Sequence, residues 1–514
     1  MQFSDLGKRQ ISCIFIAMNI LRLQLFTRFL SFLLLILIFP FSISADGNDN
    51  NGKTDNESNI DLDLAIEVLS NYLQYPSVTG QEKSAGQFLA DFSEANGLFV
   101  KKFSEQEGQY NFAASLYPLI ENKPNIIFLN HIDVVAAEDA ENWTMPPFSG
   151  HVDDTTIWGR GALDCKGLAV MQLMALLNFK NKTQDKVLPF NVTMLAVSNE
   201  EVGGEKGAKF IVDNYLNYLS PMVVFGEGGV GLTDVLEKYP TAQVFTVSIA
   251  EKSNLWLKLS VNQECISHAS TPANVYANKT LINALNKLNS RKMRFNYNES
   301  NKRMFRELGK IEGGLKGFVL RNINWTIFQP FVRKKLRSEP VLNALVSNTI
   351  TVTQIKNPPG PPNSVSSNAS ATLDCRLLPG TSRKAFVRKV KKWIDEPAVE
   401  ICVINEGPDS KSTDPGLFYN IFKQAATTVN LGDTYVLPVL FPATSDNSYF
   451  RAAGVPVYGI IPAVLNRQLL ESVHGANERI PVMALSTGIK TYLKLLEGVQ
   501  DHFPAKTIDI ETKN

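Results

Sequence analysis

The most informative absences in this 514-residue chain concern cysteine patterns, net charge and a serine nucleophile. There are five cysteines without Cys-X-X-Cys spacing, which excludes a zinc ribbon and a thioredoxin-type centre. Basic and acidic residues nearly balance, and the net charge of +1 makes nucleic acid and acidic lipid poor partner candidates. No Gly-X-Ser-X-Gly segment occurs, which argues against an α/β-hydrolase.

The first 45 residues have the pattern of a targeting segment. Basic side chains flank apolar sequence, and residues 29–45 carry no charge and end in small residues. This pattern is typical of a signal peptide, or of a single membrane anchor if it is retained. Residues 46–58 are polar and are expected to form a linker. In both alternatives we predict a secretory-pathway protein, secreted or lumenal, or anchored with its catalytic part lumenal or extracellular. Eight Asn-X-Ser/Thr sequons suit a glycoprotein.

The four cysteines beyond the targeting segment have no assignable disulfide pairing. Free cysteine is often a buried, small apolar residue. We therefore expect all four to be buried, and they are listed here for comparison with the structure: Cys165, Cys265, Cys375 and Cys402.

Residues 59–250 alternate between apolar runs and segments with helical spacing. Three of the apolar runs end in polar residues, namely NIIFLNHIDVV, FNVTMLAVSNEE and PMVVFGEGG. Alternation of this kind predicts an α/β domain with a mainly parallel sheet. Ligands of such sheets gather beyond the carboxyl ends of the strands. His131, Glu201 and Glu227 all fall at such ends.

The pattern changes between residues 251 and 404. Alternating strand-like runs and two helical segments follow the order β-α-β-β-α-β, with a basic and aromatic stretch inside. This order predicts an inserted α+β domain of ferredoxin-like type. The first pattern resumes in residues 405–500, so the second domain interrupts the first, and residues 501–514 form a tail.

Two histidines and three carboxylates stand out as candidate metal ligands. Imidazole nitrogen and carboxylate oxygen suit zinc, and two ions that share one carboxylate can activate one water. An adjacent carboxylate, Glu200, can accept a proton from that water. Asp133 follows His131 by two residues and can orient its imidazole. The five candidate ligands are His131, Asp164, Glu201, Glu227 and His474.

The motifs NHIDVV, GRGALDCKG, SNEEVGG, GEGG and ESVHGANERI resemble, in order and spacing, those of the M20 metallopeptidase family. The resemblance spans about residues 60–500. The family includes aminoacylase-1 and carboxypeptidase G2, and this chain most resembles its branch of Gly-X carboxypeptidases and secreted N-fatty-acyl-amino-acid synthase/hydrolases. The resemblance implies two Zn²⁺ per subunit, with Co²⁺ or Mn²⁺ as possible substitutes. It also implies a catalytic role for Asp133, Glu200 and His268, metal ligation by the five candidates, and substrate binding by Asn363 and Arg376.

The chain departs from the family pattern in two places. Ser267 stands where the lid motif GHxS has glycine. The usual Thr-Asp-X-Arg sequence is replaced, since Asp446 is followed by Asn447 and Ser448, and the next arginine is Arg451. A guanidinium that would bind a substrate carboxylate is therefore missing or replaced, which affects substrate choice.

The sequence thus predicts a two-zinc amidohydrolase. It would cleave, or reversibly form, the amide bond of N-acyl amino acids or short peptides with a free C-terminal carboxylate. A carboxypeptidase or dipeptidase of Gly-X type is the alternative enzyme, and a binding protein on an M20 scaffold is the non-enzymatic alternative. We also expect a small-molecule or peptide substrate and no nucleic acid partner. The resemblance further implies that the inserted domain is a lid or dimerisation domain, through which the chain would form a homodimer. The segment FVLRNINWTIFQPFV would cover an acyl chain or form a packed helical core.

Overall fold

The computed structural model describes residues 60–119, 123–137, 140–263, 268–409, 411–430, 432–504 and 506–507. The predicted targeting segment and linker, together with Cys265 and Ser267, lie outside these ranges. Within the described ranges, every helix falls short of the length and apolar character needed to cross a bilayer.

The chain forms helices and strands throughout the described ranges. The helices are α1 Leu62–Leu73, α2 Lys83–Ala95, α3 Lys166–Lys182, α4 Ala208–Leu219, α5 Ala277–Asn289, α6 Glu299–Glu312, α7 Gly314–Arg321, α8 Gln329–Ser338, α9 Pro340–Val346, α10 Arg383–Ile394, α11 Leu417–Val429, α12 Asn447–Ala452, α13 Arg467–Ser472 and α14 Val482–His502. The strands are β1 Phe99–Gln106, β2 Gln109–Ser115, β3 Asn125–His131, β4 Thr156–Trp158, β5 Lys186–Val187, β6 Asn191–Val197, β7 Pro221–Leu232, β8 Gln243–Glu251, β9 Ser253–Asn262, β10 Thr349–Lys356, β11 Asn368–Leu377, β12 Val399–Glu406, β13 Thr434–Phe441, β14 Val457–Leu465, β15 Arg479–Pro481 and β16 Lys506–Thr507.

The large sheet has eight strands in the order β1-β2-β6-β3-β7-β14-β8-β13. The β6-β3, β3-β7, β7-β14 and β8-β13 pairs are parallel, and β1 and β2 add an antiparallel edge. Every residue of β3 and of β6 is buried, as expected for central strands covered by helices on both faces. The predicted α/β class with a mainly parallel sheet is confirmed.

The apolar core lies on both faces of this sheet. On one face α3, α11 and α14 pack together, and α3 is buried around nearly its whole circumference. A smaller cluster on the other face joins α4 to the strands through residues such as Ile211, Leu219 and Phe450. Two covered faces hold the strands rigidly, so that side chains at the strand ends have fixed positions.

The second sheet has four antiparallel strands in the order β10-β11-β9-β12. Helices α5 and α10 pack on it around a core that includes Leu257, Leu281 and Phe386. The elements follow the chain order β9-α5-β10-β11-α10-β12, which is the β-α-β-β-α-β arrangement expected from the sequence. The stretch VFTVSIAEKSNLWLKLSVNQ has the alternation typical of antiparallel strands, but the structure divides it between the two sheets. Strand β8 is parallel to β13 in the large sheet, and only β9 belongs to the antiparallel sheet.

Residues 291–346, which we call the helical insert, interrupt the second sheet between α5 and β10. They form α6 to α9 and a short 3₁₀ turn, Thr326–Phe328. Apolar residues of the insert such as Phe305 and Leu336 pack against Val244 and Leu440 of strands β8 and β13. Its inner side is thereby fixed to the large sheet.

The cysteine expectation holds only in part. Cys165 and Cys375 are buried free thiols, whereas Cys402 is exposed. Cys402 lies on β12, the last strand in the order of the second sheet, and its neighbours Val403 and Ile404 are half exposed as well. Ile401 packs against the core of the second sheet, and the next side chain along the strand, that of Cys402, points to the opposite face, which explains the difference.

Candidate metal centre

Four short segments bring the candidate ligands together at the carboxyl edge of the large sheet. His131 is the last residue of β3, and Glu201 lies in the 3₁₀ turn that follows β6. Asp164 lies in the loop between β4 and α3, and His474 follows α13 with a φ of 61°. The sequence therefore predicted the position of His131 and Glu201 from the strand pattern, while Asp164 and His474 arrive from loops.

Glu227 lies inside β7 instead of at its end, which corrects the sequence-based expectation. Gly226 pairs with Gly459 of β14, and the next pair joins Gly229 to Ile460. Glu227 and Gly228 are thus extra residues opposite β14, and they form a bulge. Bulges occur beside active sites because they redirect one side chain without ending the strand.

The two carboxylate oxygens of Asp164 face different imidazoles. Oδ1 lies 3.0 Å from Nε2 of His131, and Oδ2 lies 3.1 Å from Nε2 of His474. Glu227 Oε2 approaches the His131 nitrogen at 3.6 Å, and Glu201 Oε2 approaches the His474 nitrogen at 3.4 Å. The side chains therefore form two groups of three donors that share one carboxylate.

The donors in these two groups fit divalent cations. Two imidazoles face at least four carboxylates, including that of Glu200, so negative charge is in excess. Oε1 of Glu201 is buried and has no hydrogen-bond partner among the described residues. An orphaned buried carboxylate oxygen costs free energy unless a cation or a proton compensates it. Nitrogen and oxygen donors in two adjoining groups suit zinc.

The protonation of the cluster reflects this excess of carboxylates. Burial, assisted by the charge of Asp164, raises the pKa of Glu227 to about 7. Burial and the charge of Glu227 raise the pKa of Glu200 well above its usual value. Hydrogen bonds to Asp164 and Glu201 raise the pKa of His474 to about 10. Cations in the cluster would favour the ionised carboxylates and the neutral imidazoles.

Asp133 links the two strand ends. Its backbone carbonyl lies 2.8 Å from Nδ1 of His131, whereas its carboxylate is 3.8 Å from that nitrogen. The carboxylate instead accepts the N–H groups of Glu200 and Glu201, at 3.0 and 3.2 Å, and the hydroxyl of Thr79 at 2.9 Å. Asp133 therefore orients the imidazole through its main chain, and its carboxylate fixes the turn that carries both glutamates. The sequence-based expectation had assigned the first task to the carboxylate.

Glu200 projects into a cavity of about 250 Å³ beside the candidate ligands. No described residue donates a hydrogen bond to its carboxylate, although the backbone N–H of Glu200 is held by Asp133. Trp256 and Arg376 of the second sheet also line the cavity. Asp374 and Thr444 hold the Arg376 guanidinium in place. The cavity is thus lined by carboxylates of the metal-ligand cluster and by a cation of the second sheet.

His268 and Asn363 do not line this cavity. They contact each other, since Nδ2 of Asn363 lies 3.0 Å from Nε2 of His268, and both are exposed. Ser270 contacts the other ring nitrogen of His268 at 2.8 Å. The structure therefore brings eight of the ten sequence-predicted site residues together, directly or through Asp133, and leaves this pair outside.

A buried ion pair that the sequence reading did not assign joins two ligand loops. The Glu478 carboxylate accepts a hydrogen bond from the guanidinium of Arg160 at 2.6 Å. It also accepts hydrogen bonds of 2.9 to 3.1 Å from the backbone N–H groups of Gly161, Leu163 and Asp164. Arg160 also donates to the carbonyl beside His474, that of Gly475, at 3.0 Å. Both residues lie in quoted motifs, GRGALDCKG and ESVHGANERI, so the signal was present without a distinguishable role.

The segment that departs from the family pattern lies along the cavity. Ser448 and Asp446 line it, and both are nearly buried. Arg451 turns away and forms a buried ion pair with Glu251 at 2.7 Å. Arg376 is therefore the guanidinium that borders the cavity in this chain.

Sequence comparisons agree with this site. The profile described as "Peptidase family M20/M25/M40" matches residues 127–498. A probable carboxypeptidase S-like 2 of Dictyostelium discoideum is 28% identical over 76% of this chain and 75% of its own length. An N-fatty-acyl-amino acid synthase/hydrolase of Xenopus tropicalis is 27% identical over 86% of this chain and 88% of its own length.

Solved structures share the fold. An M20 family metallo-carboxypeptidase of Sulfolobus solfataricus has a TM-score of 0.62 and 19% identity, covering 84% of this chain and 98% of that protein. Human carnosine dipeptidase 1 has a TM-score of 0.61 and 16% identity, covering 85% and 96% respectively. These likenesses extend across both sheets.

Proposed function

The chain belongs to peptidase family M20/M25/M40, and from this premise we propose that it is a two-zinc amidohydrolase acting on N-acyl amino acids. Family membership makes the chain an enzyme with a peptide or related small molecule as substrate. The finer proposal is that it cleaves, or reversibly forms, the amide bond of an N-acyl amino acid with a free carboxylate. The metal assignment rests on the Asp164 carboxylate, because one of its oxygens faces His131 and the other faces His474.

In this proposal each imidazole would hold one zinc ion together with a carboxylate of its own. His131 and Glu227 form one set, His474 and Glu201 form the other, and Asp164 belongs to both. Bound zinc would supply Lewis acidity, which polarises the scissile carbonyl and acidifies the attacking water. Co²⁺ or Mn²⁺ would be expected to substitute, because both accept the same donor atoms.

Glu200 is proposed as the general base and then the general acid. Its carboxylate faces the cavity without a hydrogen bond from any described residue, and is therefore free to receive a proton from the attacking water. It would deliver that proton to the leaving amine nitrogen as the amide bond breaks. Asp133 supports the step because it holds the backbone of Glu200 in place.

Arg376 is proposed to bind the carboxylate of the substrate. Its guanidinium borders the same cavity as Glu200, and Asp374 and Thr444 fix its orientation. A planar guanidinium matches a carboxylate with two parallel hydrogen bonds. This role is consistent with Ser448 standing where the family pattern has arginine.

His268 and Asn363 are proposed to act on a neighbouring subunit. They contact each other at the surface, away from the cavity of their own chain. The family resemblance assigns His268 to polarisation of the scissile carbonyl and Asn363 to substrate contact. A homodimer through the second sheet, acting as a lid domain, would allow the pair to reach the cavity of a partner subunit.

A Gly-X carboxypeptidase or dipeptidase is the second candidate. The similarity to a probable carboxypeptidase S-like protein favours this candidate. The similarity to an N-fatty-acyl-amino acid synthase/hydrolase favours the N-acyl amino acid substrate. Both reactions use the same zinc centre and the same carboxylate contact. They differ in whether the group on the amide carbon is an acyl chain or an aminoacyl residue.

The substrate proposal is tested with a panel on zinc-loaded protein and mass-spectrometric readout. The panel contains N-acyl amino acids of several chain lengths, their C-terminal amides and Gly-X dipeptides. We expect the acyl amino acids to be cleaved, and the amides to be cleaved with a higher KM. In Arg376→Lys this difference in KM should shrink, whereas in Arg388→Lys, an exposed control on α10, it should remain. Cleavage of dipeptides alone would favour the second candidate, and no cleavage despite bound zinc would indicate a binding protein.

We also propose that the chain enters the secretory pathway through its N-terminal segment. The uncharged stretch at residues 29–45 supports this proposal. N-terminal sequencing of the protein expressed in eukaryotic cells distinguishes cleavage near residue 45 from a retained anchor. An intact, unglycosylated protein in the cytosolic fraction would contradict it.

A further inference from the structure

The helical insert concentrates positive charge. Residues 291–346 contain thirteen Lys and Arg against four Glu, a net charge of +9, whereas the whole chain carries +1. The net charge of the chain, which made acidic lipid a poor candidate, therefore hides a strong local asymmetry. A basic segment at the surface creates a local field that does not depend on the average charge.

The outer side of the insert also exposes large apolar side chains. Leu315, Phe318, Trp325 and Ile327 are 45%, 41%, 49% and 71% exposed. The ring of Trp325 stacks on that of Phe328 with 6.0 Å between the ring centroids, and the ring of Phe318 meets that of Trp325 edge-on with 5.9 Å between the centroids. Leu315 is one helical turn before Phe318 on α7, on the same face. These five residues form one patch, which we call the apolar patch.

Exposed cations flank the apolar patch. Arg321 follows Phe318 by one turn of α7, and Arg333 and Lys334 are exposed on α8, which begins directly after Phe328. The described ion pairs of the insert use other cations. The patch therefore combines apolar rings with unpaired positive charge.

We propose that the apolar patch and its flanking cations dock on the surface of an anionic phospholipid bilayer. Apolar and aromatic side chains that point into solvent enter the boundary between headgroups and acyl chains, and flanking Lys and Arg pair with anionic headgroups. Charge complementarity selects an anionic surface over a zwitterionic one. The aliphatic members Leu315 and Ile327 favour lipid over nucleic acid, since only flat rings stack on bases.

The proposal is tested by sedimentation of the full chain with vesicles. Phosphatidylcholine vesicles are compared with vesicles that also contain phosphatidylserine. We expect binding to the anionic vesicles that weakens as salt rises, because salt screens the headgroup charge. In Trp325→Ser/Ile327→Ser this binding should fall at least about tenfold, since each apolar side chain contributes through burial. Arg321→Glu/Lys334→Glu should remove the preference for phosphatidylserine.

Two control variants match these changes elsewhere on the surface. Met483→Ser removes an apolar side chain that is 72% exposed, and Arg388→Glu/Lys392→Glu reverses two exposed cations on α10. Both controls should bind vesicles as the wild type does. All variants should keep hydrolytic activity on a short-chain N-acyl amino acid, because none of the substituted residues lines the cavity.

Several results would overturn the proposal. Equal binding of wild type and patch variants would assign vesicle binding to another segment, such as residues 29–45. Loss of a dimer in Trp325→Ser/Ile327→Ser, without loss of vesicle binding, would assign the patch to a subunit interface. Binding of single-stranded RNA without vesicle binding would assign the insert to nucleic acid. A glycan on Asn324, within the patch sequence, would cover the surface and equally contradict docking.

Discussion

Arg160 and Glu478 show how much of the site depends on residues that contact no substrate. Their ion pair is fully buried, and the Glu478 carboxylate also accepts three backbone N–H groups of the loop that ends in Asp164. Arg160 reaches the carbonyl next to His474. The distance between Asp164 and His474 therefore depends on the buried carboxylate of Glu478. Residues that orient metal ligands typically change metal affinity by about 10–100-fold when they are replaced.

We expect Glu478→Gln to weaken zinc binding by about 10–100-fold and to lower the free energy of unfolding of the metal-free protein by about 1.5–3 kcal/mol. The amide keeps the shape of the side chain but leaves the Arg160 charge unpaired. Zinc affinity is measured by competition with a chelator and stability by urea unfolding. Glu497→Gln, at a partly exposed ion pair with Lys182, is the control and should change stability by at most about 1 kcal/mol. Unchanged zinc affinity in Glu478→Gln would contradict the positioning role.

The sequence predicted the candidate ligands well and their supporting contacts poorly, for a physical reason. His131, Glu201 and Glu227 are polar residues at the ends of apolar runs, and this contrast is visible in one dimension. The roles of Arg160 and Glu478 arise from contacts over more than 300 residues, which no local pattern contains. His268 and Asn363 were assigned by resemblance alone, and they lie outside the cavity.

At the scale of elements, the bulge of β7 determines where Glu227 points. Glycines flank it because neighbouring backbones leave no space for a side chain. A Cβ on Gly229 would overlap the carbonyl of Thr246 on β8, and a Cβ on Gly226 would overlap the side chain of Asn447. Asn447 in turn donates to the backbone carbonyl of Glu227 at 2.7 Å. Apolar periodicity predicted the strand, while the bulge depends on these contacts between strands.

We therefore expect Gly229→Ala to push β7 and β8 apart and to destabilise the protein by about 1–3 kcal/mol. Because Glu227 is two residues away, zinc affinity should fall as well. Gly360→Ala is the control, since a Cβ there meets no atom within 4 Å. Urea unfolding and chelator competition measure both effects. Equal stability of the two variants would argue against the close packing of this bulge.

Lys252 joins the two segments through which the chain crosses into the second sheet. It lies between β8 and β9, and its buried ammonium donates to the carbonyl of Ser347 and to Thr349 at the start of β10. Burial, assisted by the charge of Arg376, lowers its pKa to about 7. The sequence pattern predicted a change of domain at residue 251, next to this lysine, but not the contacts that the lysine makes.

This lowered pKa predicts a pH-dependent stability. Between about pH 7 and the ordinary value of 10.5, the unfolded chain keeps a proton that the folded chain has lost. The wild type should therefore gain stability relative to Lys252→Met as pH rises through this window, by about 1 kcal/mol per pH unit at the steepest point. Below pH 7 the difference should be constant. Urea unfolding across the window measures it, with exposed Lys258→Met as control, and a pH-independent difference would refute the prediction.

For the whole molecule, periodicity was sufficient to predict two sheets, one interrupting the other. The alternation of apolar runs with helical segments predicted the parallel sheet, and the β-α-β-β-α-β order predicted the second sheet. Within the insert, the sequence indicated a packed helical core only for residues 318–332, as one of two alternatives. The other helices were missed, because the basic and aromatic composition of the insert has no clear period. Its inner residues, such as Phe305 and Leu336, became recognisable only through their contacts with β8 and β13.

At this scale the metal centre should contribute to stability, since its ligands come from segments over 340 residues apart in the chain. A ligand at 100 times its Kd stabilises the folded state by about 2.7 kcal/mol for each site. We expect removal of metal by a chelator to lower the Tm, and zinc to restore it. His131→Ala should be less sensitive to zinc, because it lacks one donor. A Tm that does not respond to chelator or zinc would exclude a structural contribution of this kind.

In the proposed mechanism, Glu200 transfers a proton from the attacking water to the leaving amine, while five other side chains would hold two zinc ions. The most direct test measures zinc content and turnover together in Glu200→Gln, which keeps the size of the side chain and removes its basicity. We expect two zinc ions per chain, as in the wild type, with turnover reduced by about 10²–10⁴-fold or more. Turnover close to that of the wild type, or loss of zinc from the variant, would contradict it.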